Sequence, residues 1–225
     1  KLKSEKHAAL TANLISWLQT AVFMDVTEFS IAAGEMNVVS VNRVFPKSQI
    51  SGSTVSTFVP SQAKQNQIAA FDIQTGRVKW RIFGGDNEDL KSAETVNSRD
   101  FKNTFFLGAP TIHQGKVFVM GDSAGEVSLF VLRESDGSLL RRISLCLSQP
   151  AASEVAERRQ DACPVTIHEG IALCPTQVGR LFAVAAHSGE ILWTASYPRS
   201  TNQMPRSVYR PQRLLKRQVV AAPIV

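Results

Sequence analysis

The sequence predicts an all-β fold: an incomplete β-propeller of four-stranded antiparallel blades, with a short N-terminal helix in front. Three observations predict it. Thr-Ile-His-x-Gly occurs at 111–115 and again at 166–170, and the surrounding text "GAPTIHQGKVFVMG" (108–121) aligns with "CPVTIHEGIALCPT" (163–176). Each copy continues into short apolar segments rich in Val, Ile, Leu and Phe, bounded by Gly, Ser, Asp or Pro, which is the strand signature. Each then ends in a small-residue glycine turn: "FDIQTGRVKW" (71–80) and "VAAHSGEILW" (184–193) place a tryptophan four residues after the glycine, and "VLRESDGSLLR" (131–141) is a weaker copy. Repetition of a unit too small to bury both its faces implies stacked neighbours.

The elements follow in chain order. Residues 1–27 read as a helical segment or linker: in "AALTANLISWLQTAVF", Leu10, Leu14, Trp17, Leu18 and Ala21 form one helical stripe. The uncharged stretch Ala8–Met24 is short and contains Thr11, Asn13, Ser16, Gln19 and Thr20, so it is a poor membrane span. Attachment to a membrane surface stays open beside packing on the propeller or on a preceding domain. The propeller occupies 28–225. Its first blade covers about 28–83, opening with "FSIAAGEMNVVSV" (29–41) and closing with "QIAAFDI" (67–73) and "RVKWRIF" (77–83), with a long insert between. Blades at about 108–146 and 163–197 follow, and "AAPIV" within 219–225 reads as the start of another. Pro110, Pro164 and Pro223 mark the starts. The tight turns His-Gln-Gly, Ser-Asp-Gly and His-Ser-Gly put glycine where positive φ is required. Both chain ends suggest a piece of a longer protein.

In such a fold the first-to-second and third-to-fourth turns open on one face. The second-to-third loops and the blade-to-blade connections open on the other. The connections, roughly 84–107, 147–162 and 198–218, are the elaborated loops, so their face is the expected binding face. The net charge of +6 resides in one of them: Arg199, Arg206, Arg210, Arg213, Lys216 and Arg217 occur without an acidic residue, and the rest of the chain carries 19 basic and 19 acidic groups. These six are candidates for binding an acidic protein, an anionic lipid or a polysaccharide. Ion pairing with Asp86, Glu88, Asp89, Glu154 and Glu157 of the other connections is the competing use. No nucleic-acid-binding motif is present.

Candidate chemistry is sparse. Cys146, Cys163 and Cys174 are an odd set without a CxxC spacing, so neither a disulfide framework nor a zinc site is expected. If Glu169-Gly170 is a two-residue turn, Cys163 and Cys174 fall out of register for a disulfide. His113 and His168 hold equivalent positions before two turns, and a metal would need a third ligand converging on them.

The tryptophans are expected to dock one blade on the next. A side chain four residues past the glycine lies on the outer strand, where a tryptophan can bury roughly 150–250 Å² and direct its indole N–H to a backbone carbonyl. Here the chain resembles the PQQ-like repeat family, whose motif runs Ala-x-Asp-x-x-Thr-Gly-x-x-x-Trp. The first copy matches through Ala70, Asp72, Thr75, Gly76 and Trp80. The last matches through Ser188, Gly189 and Trp193, with Ala185 in place of Asp. The middle copy keeps Asp136 and Gly137 and has Arg141 in place of tryptophan. The resemblance implies a blade-docking role for these positions and an extracytoplasmic bacterial protein of the periplasm or cell envelope.

The family contains quinoprotein dehydrogenases and non-catalytic propellers. A dehydrogenase would need PQQ stacked on an adjacent Cys-Cys pair, calcium on Glu, Asn and Asp, and an Asp base. No adjacent cysteines occur. The favoured expectation is therefore a non-catalytic scaffold that binds a protein partner or ligand and carries no cofactor. A quinoprotein dehydrogenase domain, or the ectodomain of a sensor, are the alternatives.

Overall fold

The computed structural model describes residues 30–43, 66–85, 95–96, 98–155, 158 and 162–198. The N-terminal helix, the insert of the first blade and the start of a further blade lie outside the described residues.

Three antiparallel sheets follow one another along the chain. The first blade is β1 (Ile31–Ala33), β2 (Asn37–Arg43), β3 (Asn66–Asp72) and β4 (Val78–Phe83), paired in that order. A 3-10 turn at Ser98–Phe101 and a short strand, β5 (Thr104–Phe106), lie in the connection. The second blade is β6 (Thr111–His113), β7 (Lys116–Ser123), β8 (Glu126–Arg133) and β9 (Leu139–Leu147). The third is β10 (Thr166–His168), β11 (Ile171–Pro175), β12 (Arg180–Ala185) and β13 (Ile191–Ser196), again in sequential order. This is an incomplete propeller.

One strand was not legible in the repeat. The inner edge of the second blade is built in two pieces: β6 pairs with the first half of β7 (Thr111↔Phe118), and β5 pairs with the far half (Thr104↔Ser123, Phe106↔Gly121). Gly108, Ala109 and Pro110 separate the two pieces, and the proline cannot donate to a ladder. Asn66 holds β5 from the first blade. Its side-chain amide donates to Phe106 O at 2.7 Å and its Oδ1 accepts from Phe106 N at 2.8 Å, so one buried side chain satisfies both backbone groups of a neighbouring sheet.

The core consists of two apolar layers between blades. Val39, Val41, Ile68, Ala70, Trp80 and Ile82 of the first blade meet Val117, Val119, Phe130 and Leu132 of the second. Phe118, Met120, Val127, Leu129 and Val131 point the other way and meet Val165, Ala172, Cys174, Phe182 and Val184 of the third. Alternate residues of β7 and β8 thus serve opposite layers. That is why these strands read as continuous apolar runs and not as apolar–polar alternation.

The outer hairpins share one geometry. In each, the turn glycine donates its N–H four residues back: Gly76 to Asp72, Gly137 to Arg133 and Gly189 to Ala185. All three have φ between 67° and 78°, the left-handed region that glycine enters without strain. Just beyond each turn the register slips by one residue, between Ala70 and Phe71, between Val131 and Leu132, and between Ala183 and Val184. These bulges bring Trp80 opposite Ala70, Arg141 opposite Val131 and Trp193 opposite Ala183. The skipped residues are Lys79, Leu140 and Leu192, and the latter two are exposed. The bulge, added to the period of 2, decides which face each docking side chain occupies.

Candidate functional site

Two regions concentrate specific contacts: the seams where one blade docks on the next turn, and the face where the connections emerge.

At the first seam Trp80 is 2% exposed and its indole N–H donates to Glu134 O at 2.8 Å. The indole lies flat on the second blade's turn: a Cβ on Gly137 would fall 2.6 Å from Trp80 Cδ2. Glycine is thus required there both by its φ of 71° and by the ring above it. The turn of the first blade is organised by Asp72. Its carboxylate accepts from Thr75 N (2.8 Å), Thr75 Oγ1 (2.9 Å) and Gln74 N (3.1 Å), and Lys79 Nζ stands 3.2 Å away. The Thr75 amide and hydroxyl, then Lys79, hold the Asp72 carboxyl down at about 2. Asp136 does related work in the second turn, accepting from Ser138 N at 2.9 Å and pairing with Arg133 at 3.2 Å. Ser138 holds its carboxyl below the ordinary aspartate value. In the third turn Ser188 Oγ accepts from Glu190 N at 3.3 Å.

At the second seam Arg141 occupies the tryptophan's position. Its Nη1 donates to His187 O at 3.0 Å, and its stem covers Gly189, where a Cβ would come within 2.5 Å of Arg141 Cδ. An arginine therefore combines the two functions of the indole, apolar cover and donation to a turn carbonyl. The sequence shows this residue as a departure from the motif. Its constant distance of four residues from the turn glycine marks its use. Trp193 sits on β13 with 46% exposure and has no blade seated on it among the described residues.

On the connection face a cleft of about 520 Å³ is lined by Gly84 and Asn103 of the first connection, Ala124 of the β7–β8 turn, and Gln149, Ala151, Ser153 and Glu154 of the second connection. Its second wall is held by a buried network. Asp122, at the end of β7, accepts from Gly125 N at 2.6 Å and Ala152 N at 3.1 Å, and pairs with Arg158 Nη2 at 2.7 Å. Arg158 donates further to Ser148 O (2.8 Å), Pro150 O and Gln177 Oε1 (3.0 Å), and Gln177 Nε2 donates back to Arg158 O. One guanidinium thus joins the second-to-third turns of two adjacent blades to the connection between them.

The residues proposed for an anionic partner, Arg199, Arg206, Arg210, Arg213, Lys216 and Arg217, lie outside the described residues. His113 and His168 belong to turns of different blades, and no group of three or more His, Cys, Asp or Glu suited to a metal occurs among the described residues. Nor is any helix among them long and apolar enough to cross a membrane. The three cysteines are free thiols. Thr166 pairs with Leu173, which sets Cys174 beside Val165 and away from Cys163.

A family model described as outer membrane protein assembly factor BamB, of the PQQ-like repeat type, matches residues 40–210. The chain belongs to this PQQ-like repeat family. Solved structures similar to it include BamB from Moraxella catarrhalis, at 14% identity over 74% of this chain and 35% of that one, with a TM-score of 0.41. A quinohemoprotein alcohol dehydrogenase from Pseudomonas putida HK5 is 12% identical over 74% of this chain and 26% of that one, with a TM-score of 0.42. A europium-containing methanol dehydrogenase is 11% identical over 76% and 32%, with a TM-score of 0.43. No curated protein matches. The chain spans about a third of the BamB structure.

The PQQ-like name raises the question of the quinone, and the described cysteines do not suit it. Cys163 and Cys174 are buried inside the layer between the second and third blades. Burial pushes the Cys174 thiol up to about 12 and raises that of Cys146. The Cys163 and Cys174 sulfurs pack as small apolar groups and present no surface to a ring, and Cys146 is half-buried on β9.

Proposed function

We propose that this PQQ-like chain is part of a non-catalytic propeller scaffold that binds a protein partner, within an exported bacterial protein of the cell envelope. The observation that carries the reading is the convergence of the two described connections and the β7–β8 turn on one face, around the cleft of about 520 Å³. Loops held on a rigid sheet stack are the usual site of recognition. The lining combines amides, a hydroxyl and a carboxylate with backbone at Gly84 and Ala124, a set suited to hydrogen bonding with another chain. Because Arg158 and Asp122 already tie the cleft wall to two blades, a partner would meet a surface with little ordering left to lose. Membership of a family described as an outer membrane protein assembly factor supports both the protein-binding capacity and the extracytoplasmic placement. The basic stretch with Arg199, Arg206, Arg210, Arg213, Lys216 and Arg217 is proposed as a second contact, for an acidic region of the partner.

The test is site-specific photo-crosslinking in the native host. A photoreactive residue at Ser153, beside the cleft, should capture one discrete protein, whereas one at Ser135, on the opposite turn face, should not. Equal capture from both positions, or none from Ser153, would show that the cleft is not the contact surface.

A further inference from the structure

The two seams differ at one equivalent position, and the difference defines a small site. Glu134 and Ala186 hold the same place in successive outer turns. Each lies three residues before the turn glycine, and each donates its N–H to the neighbouring first-turn glycine, Gly115 at 2.9 Å and Gly170 at 2.8 Å. At the first seam the Glu134 side chain is buried and reaches the first blade's inner turn, where a Cβ on Gly34 would collide with Glu134 Oε1. At the second seam alanine stops at its methyl group. A cavity of about 40 Å³ opens there, lined by His113, Gln114, Lys116 and Phe118 of the second blade and by Gly170, Ala186 and His187 of the third.

The two places also differ in charge. The second one has Lys116 in its wall, with no ion-pair partner among the described residues, together with two imidazoles and the Gln114 amide. Arg141 adds a guanidinium next to it, anchored on the carbonyl of His187 at 3.0 Å. The nearest acid in sequence, Glu169, stands 3.8 Å from His168 and is largely exposed. The fold therefore places a carboxylate at this position in one seam, and in the next seam a cavity walled by one lysine and by hydrogen-bonding side chains.

We propose that this notch between the second and third blades binds a carboxylate group from outside the chain, with Lys116 as its charge partner and the side chains of His113, Gln114 and His187 as donors. The group could belong to a free small acid or to an aspartate side chain, and the same chemistry would recognise both.

Thermal melts of the full chain test it, with chloride replaced stepwise by acetate at constant ionic strength, and in parallel by N-acetyl-aspartate amide. A ligand bound to the native state alone raises Tm, and above its Kd the rise grows with the logarithm of its concentration. The expected result is a rise with acetate, logarithmic in its concentration above Kd, that is lost in Lys116→Gln, and lost in Ala186→Glu because the variant's own carboxylate fills the notch. Slower modification of His113 and His187 by diethyl pyrocarbonate in acetate, read by mass spectrometry, should accompany it. A response to N-acetyl-aspartate amide would assign the site to side chains, and acetate alone to free acids. The proposal is overturned if acetate acts no differently from chloride, if Lys116→Gln responds like the parent chain, or if the two histidines gain no protection.

Discussion

At the residue scale, the docking contact between Trp80 and Gly137 is specific enough to be measured as a pair. Gly137→Ala introduces a side chain at φ 71° and within 2.6 Å of the indole. It should cost about 1–3 kcal/mol, the sum of left-handed strain and overpacking. Trp80→Ala removes one of the two donors to Glu134 O, the other being the Asn37 side-chain amide at 2.8 Å, and opens a cavity; it should cost about 3–5 kcal/mol. In the double variant the overpacking part of the glycine penalty disappears, so the two costs should add to less than their sum in urea denaturation. Strict additivity would mean that the ring and the turn do not touch in solution. Asp72 makes a separate prediction about pH. Its folded carboxyl lies at about 2 against an ordinary 3.8. A depressed folded value stabilises the fold above the unfolded value, and that stabilisation is lost as pH falls from about 4 towards 2. Asp72→Asn should therefore flatten the acid limb of the stability profile in that window and leave its slope near neutrality unchanged. An unchanged acid limb would show that the Thr75 and Lys79 contacts do not persist in solution.

At the element scale, the connection between the second and third blades is the least sequence-legible part of the fold. The strands were readable because short apolar runs, turn glycines and an internal repeat all report local geometry. The connection 147–162 carries none of these. Arg158 looks like one charge in the run "ERRQD", and its partners Asp122 and Gln177 are 36 and 19 residues away in opposite directions. The bulges were equally hidden, since a register slip leaves no mark on composition. β5 was hidden because its latch is a single asparagine in another blade, Asn66. The candidate sites follow the same division. The docking positions were legible as a motif, with Arg141 visible as the exception. The cleft was legible as a face but not as a place, and the notch beside Ala186 depends on how two seams match in three dimensions. The clasp predicts its own consequence. Asp122 is buried and Arg158 nearly so. Removing one partner of such a pair strands the other, at about 3–5 kcal/mol. Arg158→Ala should lower the urea midpoint accordingly and raise amide exchange in 148–155 and around Gln177, with little change in the first blade. Uniform loss of protection across all three blades would show instead that the network belongs to one global cooperative unit.

At the scale of the whole molecule, among the described residues the middle blade is covered on both sides and the outer ones on one. β7 and β8 bury almost every side chain, whereas all six residues of β13 are exposed. Among them Ile191, Leu192 and Trp193 are 39%, 46% and 46% exposed, and they form one short apolar run. At the two seams described, the same outer position is covered by the next blade's turn, once with tryptophan and once with arginine. An apolar run of this kind on the outer strand of a sheet favours contact with another chain. The isolated chain should therefore self-associate, with a weight-average sedimentation coefficient that rises with concentration. The second blade suggests the variant that tests the cause. Trp193→Arg copies Arg141, a residue that serves at this position in the same fold, so it should preserve the blade while replacing the apolar surface with a solvated charge. Sedimentation velocity should then show a clear shift towards monomer at equal protein concentration, with the β-sheet circular dichroism unchanged. If Trp193→Arg associates as strongly as the parent, the contact lies elsewhere, and Ile31, Met36 and Ile73, exposed apolar residues of the first blade, become the surface to change.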